Sequence, residues 1–225
     1  MKKIKTIFAI NAIYTLLACN SNSEKIPIIM EDKNIQKNDT LITFRDEIES
    51  TVPKGFKIVN TCTQQAKWLV TNDAGNKVVA QQAKNESDCF NILMLDNLFY
   101  KNLILTVKIK AVAGEEDRGG GLGWRYIDNK NYYIARCNPL ENNFRFYRVV
   151  NGNRKQLKSV DCTIKSGEWF TMCITMNGNK IICSLNGKNM IETSDDTYPN
   201  AGKVALWTKA DAQSYFDDLT IQPIK

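Results

Sequence analysis

The chain contains no histidine. That removes the commonest general base and the commonest metal ligand. A Ser-His-Asp triad, a Cys-His dyad and a His-bearing zinc site are excluded with it. None of the seven cysteines has C-x-x-C spacing, so neither a zinc knuckle nor a dithiol redox motif is expected. No apolar run beyond residue 17 is long enough to cross a bilayer, which takes about 20 residues as a helix. Proline is sparse and a 3.6-residue apolar period is almost absent, so a helical bundle is not expected.

What is present begins with a charged start, Met1-Lys2-Lys3-Ile4-Lys5, followed by an apolar run from Ile7 to Leu17. That order is the one found in secretory leaders. The run ends in Leu16-Leu17-Ala18-Cys19, which resembles the lipobox of bacterial lipoproteins. The resemblance implies cleavage before Cys19, lipidation of its thiol and a membrane anchor on the cell envelope. Several acyl chains at one point anchor firmly, where one alone holds marginally. Loss of Lys2, Lys3 and Lys5 with the leader takes the formal charge from +6 to +3, and a +3 surface is no nucleic-acid footprint. Residues 20–40 are polar and aperiodic and read as a flexible tether, leaving 41–225 for one domain. Six cysteines then remain, in a compartment where disulfides persist. Cys62–Cys89 is one pairing they allow, and buried free thiols are the alternative; the sequence does not choose between them.

From Leu41 onward, short alternating runs recur between turn residues. Thirteen candidate strands are read: 56–60, 68–72, 77–81, 91–95, 103–112, 121–127, 132–138, 144–150, 156–161, 169–176, 180–185, 203–209 and 214–222. The turns between them carry Asn and Gly, which accept the positive φ of tight hairpins. One short helix is expected at Phe44–Ser50. The whole reads as an all-β sandwich. One hairpin fixes its own register. With Gly178-Asn179 as the loop, Asn177 faces Lys180 and Ile174 faces Cys183. Met172, Ile174, Met176, Ile181, Cys183 and Leu185 then share the core face, and Cys173 lies outside. A direct Cys173–Cys183 bond is thereby disfavoured.

Three stretches are familiar together: Gly120-Gly121-Leu122-Gly123-Trp124-Arg125-Tyr126, residues 131–143, and the run from Asp196 through Gly202 to Trp207. They resemble the concanavalin A-like lectin/glucanase superfamily. Within it, the chain is similar to bacterial secreted proteins labelled 3-keto-disaccharide hydrolase or family 16 glycoside hydrolase-like. The resemblance implies a two-sheet antiparallel jelly roll that handles carbohydrate on its concave side. The Glu-x-Asp-x-x-Glu run of the true family 16 glucanases is missing here, so catalytic residues are not assigned by it. Two carboxyls about 5 Å apart serve retaining glycosidases, and neighbouring acids along a strand point to opposite faces. Glu115-Glu116-Asp117 and Asp195-Asp196 therefore read as solvated loop charge. Asp217-Asp218 reads as a backbone tie, with a structural Ca²⁺ as its functional alternative. No other cofactor is implied.

Alternation sorts the middle strands into faces. Leu122, Trp124 and Tyr126 fall on one side, with Arg125 opposite. Tyr133, Ala135, Cys137, Phe144, Phe146, Val204 and Leu206 point inward. Trp124 and Trp169 are expected in the core. The remaining face gathers Arg125, Tyr132, Arg136, Asn138, Arg145, Tyr147, Trp207 and Lys209. Aromatic plates suit the C–H face of a sugar ring. Arginines offer planar forks to hydroxyls, carboxylates or sulfates, so an acidic carbohydrate is the expected partner. Three functions compete. The first is a carbohydrate-binding lipoprotein. The second is a hydrolase or lyase on a modified disaccharide, with Glu141, Asp211, Asp217 or Tyr147 moving the proton. The third is a structural or adhesion module with Ile182 and Val149 exposed. An open Trp207 favours the first, a carboxyl of raised pKa in a deep pocket the second, and a face closed by salt bridges the third.

Overall fold

The computed structural model describes residues 36–224, all strands, turns and irregular connections without a helix. The leader, Cys19 and residues 20–35 of the expected tether lie outside the described residues. Fifteen strands form: β1 (Thr40–Ile42), β2 (Phe56–Asn60), β3 (Trp68–Asp73), β4 (Asn76–Gln81), β5 (Phe90–Leu95), β6 (Leu103–Ala113), β7 (Gly120–Asp128), β8 (Asn131–Asn138), β9 (Asn143–Val150), β10 (Asn153–Asp161), β11 (Trp169–Asn177), β12 (Lys180–Leu185), β13 (Lys188–Ser194), β14 (Lys203–Lys209) and β15 (Gln213–Pro223). The thirteen expected strands are all present, and β1 and β13 join them. β13 is mostly polar with one buried residue, Ile191, so alternation had little apolar signal there. The expected helix at 44–50 is instead a turn segment. Its last residue, Ser50, and the following Thr51 bond the backbone of Val70, and Phe44 is buried in the core. Residue 36 already donates its N–H to the Phe99 carbonyl at 2.7 Å, so the ordered fold begins before Leu41.

The strands make two antiparallel sheets. One runs β13-β12-β11-β6-β15-β4-β3, with β1 added on β15. The other runs β10-β9-β8-β7-β14-β5-β2. The β11–β12 hairpin has the expected register, Asn177 opposite Lys180 and Ile174 opposite Cys183. Between the sheets lies one core, and each strand supplies it with alternate residues. Trp124 stacks on Phe146 at 5.5 Å and meets Tyr133 at 5.6 Å. Such pairs add about 0.5–1.5 kcal/mol each beyond the area they bury. Trp68 is also buried there, against Phe216 at 5.4 Å. Trp169 is not in the core. Its neighbour Phe170 takes the inward position, and Trp169 stands 37% exposed on the other side of the sheet, beside Lys110 at 5.2 Å. Cys62 and Cys89 form a disulfide with Cα atoms 5.3 Å apart.

Parity fails at one place that matters. Arg125 adopts φ 48°, and the β7–β8 pairing shifts register between Trp124 and Asp128. A bulge of this kind inserts one residue and re-aims those that follow. Tyr126 therefore leaves the core side and stacks on Tyr132 at 5.5 Å, across the sheet's outer face. Gly202 passes close by: a Cβ there would come within 2.4 Å of the Arg125 carbonyl carbon, so only glycine fits.

Candidate functional site

The outer face of the seven-stranded sheet is built in rows. Arg145 pairs with Arg136, Arg136 with Gly121, Gly121 with Trp207, and Trp207 with Ile92. The next row on this face runs Tyr147, Ile134, Gly123, Ala205, Met94. The middle strand β7 thus presents glycine twice, with no side chain between Arg136 and Trp207. At Gly121 a Cβ would lie 2.1 Å from the Ala135 carbonyl oxygen. The Gly120-Gly121-Leu122-Gly123-Trp124 run is the signature of this bare floor.

The sheet is strongly curled around that floor. β10 and β5 are five strand spacings apart, about 24 Å in a flat sheet. Yet the Arg154 guanidinium on β10 reaches the Phe90 ring on β5 at 5.2 Å, Tyr147 at 4.6 Å and Trp207 at 5.9 Å. The face is concave, and Arg154 sits in an aromatic box over it. Arg154 lies two residues ahead of the expected strand start at Gln156, and a bulge between Gln156 and Lys158 breaks the alternation. Those two features hid it from pattern reading.

Seven of the eight expected face residues gather here: Tyr132, Arg136, Asn138, Arg145, Tyr147, Trp207 and Lys209. Arg125 does not. The bulge turns its guanidinium to the rim, where it donates to the Tyr198 carbonyl at 2.6 Å and the Asn200 carbonyl at 2.9 Å. Burial lowers its pKa to about 10. Trp207, Tyr132 and Arg136 are 1–2% exposed rather than open. Val149 is buried on the same face, so it is not the exposed apolar contact expected of an adhesion surface.

The charges form a partly satisfied network. Glu141 accepts from Arg136 at 3.0 Å, Arg145 at 2.7 Å and Asn143 at 2.8 Å. Burial alone would raise its pKa. The donors from Asn143 and Arg136 outweigh that and hold it below the ordinary value. Asp117 was expected to be solvated, but it is 3% exposed on this face. Asn138 donates to it at 3.0 Å, and the Lys209 ammonium stands 4.0 Å away. Burial raises its pKa, against the pull of Arg136 and Lys209. Asp211 is the reason Asp117 sits inward. Its carboxylate accepts the N–H groups of Glu115, Glu116 and Asp117 at 2.6–3.2 Å and fastens the loop. Asp211 is therefore a buttress rather than a proton carrier. Asp217 lies in the other sheet, accepting from Asn76 at 2.8 Å, and is likewise remote from this face. Asp218 pairs with Lys108 at 2.8 Å. Among the described residues no group of three or more acidic or cysteine side chains is placed to hold a metal.

Four buried polar atoms on this one face have no hydrogen-bond partner among the described residues: the Tyr132 hydroxyl, Arg136 Nε, Arg154 Nη1 and Trp207 Nε1. Burial raises the Tyr132 pKa, and the facing Trp207 indole opposes the rise without meeting hydrogen-bond geometry. Orphaned buried donors are rare in native proteins and each costs about 1–3 kcal/mol. A recess of about 680 Å³ lies elsewhere, between the end of β10 and the β12–β13 turn, lined by Glu141, Asp161, Cys162, Leu185 and Lys188 among others. It has neither the aromatic plates nor the arginines of the concave face.

A curled, glycine-floored sheet backed by a second sheet is the concanavalin A-like jelly roll. Residues 48–222 match the 3-keto-alpha-glucoside-1,2-lyase-like domain, and the chain belongs to that family. No curated protein matches the sequence. Among solved structures, the carbohydrate binding module CBM66 from Bacillus subtilis is similar, with TM-score 0.63 and 16% identity over 75% of this chain and 95% of that one. A cellulose-induced protein, Cip1, gives 0.62 and 11% over 82% and 97%. A native glycosidic hydrolase gives 0.60 and 12% over 85% and 98%. At these identities the likeness shows the fold.

Proposed function

We propose that this domain binds carbohydrate on the concave face, with an acidic substituent of the sugar received by Arg136 and Arg154. The observation that carries the reading is the cluster of four partnerless donors and hydroxyls beside aromatic plates. A carboxylate or sulfate accepts from Arg136 Nε and Arg154 Nη1 together, and ring hydroxyls answer Tyr132 and Trp207. Entry requires Arg154 to leave its aromatic box. It stands on an edge strand and its side chain is long, so it is the movable part. Calorimetric titration against neutral and acidic oligosaccharides tests this. Binding of an acidic sugar that is lost in Arg154→Ala, with the thermal midpoint kept, supports it; silence with every sugar sinks it.

A second reading is favoured by Asp117 and by the family description, which names a lyase of 3-keto-α-glucosides. A buried carboxyl with a raised pKa is suited to give and take a proton, and Arg136 beside it would stabilise developing negative charge. Incubation with a 3-keto-α-glucoside decides this. Turnover that Asp117→Asn abolishes while binding survives supports the lyase; equal product with and without protein rejects it.

We also propose that the chain is exported and anchored through Cys19. The Cys62–Cys89 disulfide fits an oxidising compartment. Labelled palmitate should enter the wild type and not Cys19→Ser; equal labelling, or none in either, rejects the anchor.

A further inference from the structure

We infer that Cys137 and Cys162 are the site of a second disulfide, which fastens the end of edge strand β10 to β8. Their sulfurs are 3.4 Å apart, in contact and already facing. Cys137 points into the core from β8, on the side opposite Arg136 and Asn138. Cys162 is the first residue after β10, where the chain is no longer in the ladder, and its N–H bonds the Asn142 carbonyl at 2.9 Å. Bond formation needs the sulfurs to close to about 2.0 Å. The irregular stretch after Cys162 absorbs that movement without disturbing a strand.

The two thiols have different tasks. Cys162 is half-buried and borders the recess, whereas Cys137 is fully buried. The hydrogen bond between the two sulfurs lowers the pKa of the more exposed Cys162 and raises that of the buried Cys137. Cys162 is therefore the sulfur that attacks. Its thiolate displaces one thiol from an external disulfide and forms a mixed disulfide. Cys137 then loses its proton and attacks the Cys162 sulfur, releasing the second thiol. Two protein thiols are oxidised, and one donor disulfide is reduced to two thiols. The chain already carries one disulfide, Cys62–Cys89, so the same class of donor is at hand. The other described free cysteines, Cys173 and Cys183, point to opposite faces of β11 and β12 and have no such contact.

β10 has a single strand partner, β9, and it carries Arg154 over the concave face. A bond at Cys162 closes the free end of that strand, while the Asn151-Gly152 turn holds its start.

The test is peptide mapping of the purified protein without reductant, after exposure to oxidised glutathione and blocking of free thiols. The expected result is a Cys137–Cys162 cross-linked peptide beside Cys62–Cys89, and an intact mass lower by four hydrogens than the reduced chain. The cross-link should vanish in Cys162→Ser and persist in Cys173→Ser. Alkylation of Cys162 in the native protein with no such peptide, or a stable glutathione adduct on Cys162, overturns the inference. So does a cross-link between Cys162 and any other cysteine.

Discussion

Arg154 holds its guanidinium carbon 4.6 Å from the Tyr147 ring centroid, although Tyr147 and Arg154 are not register partners. The contact is a diagonal one between adjacent strands, since Arg154 on β10 pairs with Val149, two residues from Tyr147 on β9; the curl of the sheet is what brings Phe90 and Trp207 within reach of the same guanidinium. Cation–π pairs of this kind are worth about 0.5–2 kcal/mol when water is excluded. The pair is offset by an orphaned Nη1 and by burial that lowers the guanidinium pKa. Arg154→Met should therefore change unfolding free energy by less than about 1 kcal/mol, while removing acidic-sugar binding. A loss above that in urea unfolding would make Arg154 a structural clamp.

Gly121→Ala places a methyl 2.1 Å from the Ala135 carbonyl oxygen, with backbone on every near side. Neither neighbour is a flexible side chain that yields. Overpacking of this kind costs about 1–3 kcal/mol. Chemical denaturation should show a lower midpoint, and ligand binding should fall because Arg136 and Trp207 flank this position. Gly75→Ala, with nothing within 4 Å but φ 90°, should show strain without any effect on binding.

Asp96 receives Lys203 at 2.6 Å and Lys57 at 2.5 Å. Those two ammonium groups lower its pKa from 3.8 to about 2. A carboxyl depressed by folding stabilises the native state above its unfolded pKa and loses that contribution as pH falls through the folded one. Stability from this group should be complete above pH 3.8 and decline from there to about pH 2. Asp96→Asn should flatten that part of the melting-temperature profile. An unchanged slope would mean other carboxyls set the acid limit.

The Cys62–Cys89 bridge closes a loop of sequence separation 27. Chain-entropy reasoning puts its contribution at about 3–4 kcal/mol. Cys89→Ser should lower the thermal midpoint accordingly and free the segment joining β2 to β5. A midpoint within a degree of wild type would show that the unfolded chain is restrained by other means.

Much of this molecule is decided locally. Period-two alternation and Asn-Gly turns fix the strands, because each side chain need only choose between the core and the other face. The β11–β12 hairpin could be set in register for the same reason: a two-residue loop leaves no freedom. Inward Phe144, Phe146, Val204 and Leu206, and outward Tyr132, Arg136, Tyr147 and Trp207, follow from the same arithmetic. Parity fails where the backbone inserts a residue. The bulge at Arg125 exchanged Arg125 and Tyr126, and the one after Gln156 concealed Arg154. Neither leaves a mark in the sequence, since Arg at positive φ is disfavoured and the backbone packed against it at Gly202 comes from 77 residues further along the chain. Asp117 was hidden differently. Its run of acids looks solvated until Asp211, 94 residues away, gathers the loop amides and turns the carboxyl inward. The sequence by itself determined strands, faces and a pool of aromatic and basic side chains. Only the tertiary structure decided which of them meet, because sheet curvature, bulges and long-range loop fastening depend on contacts between residues far apart in the chain.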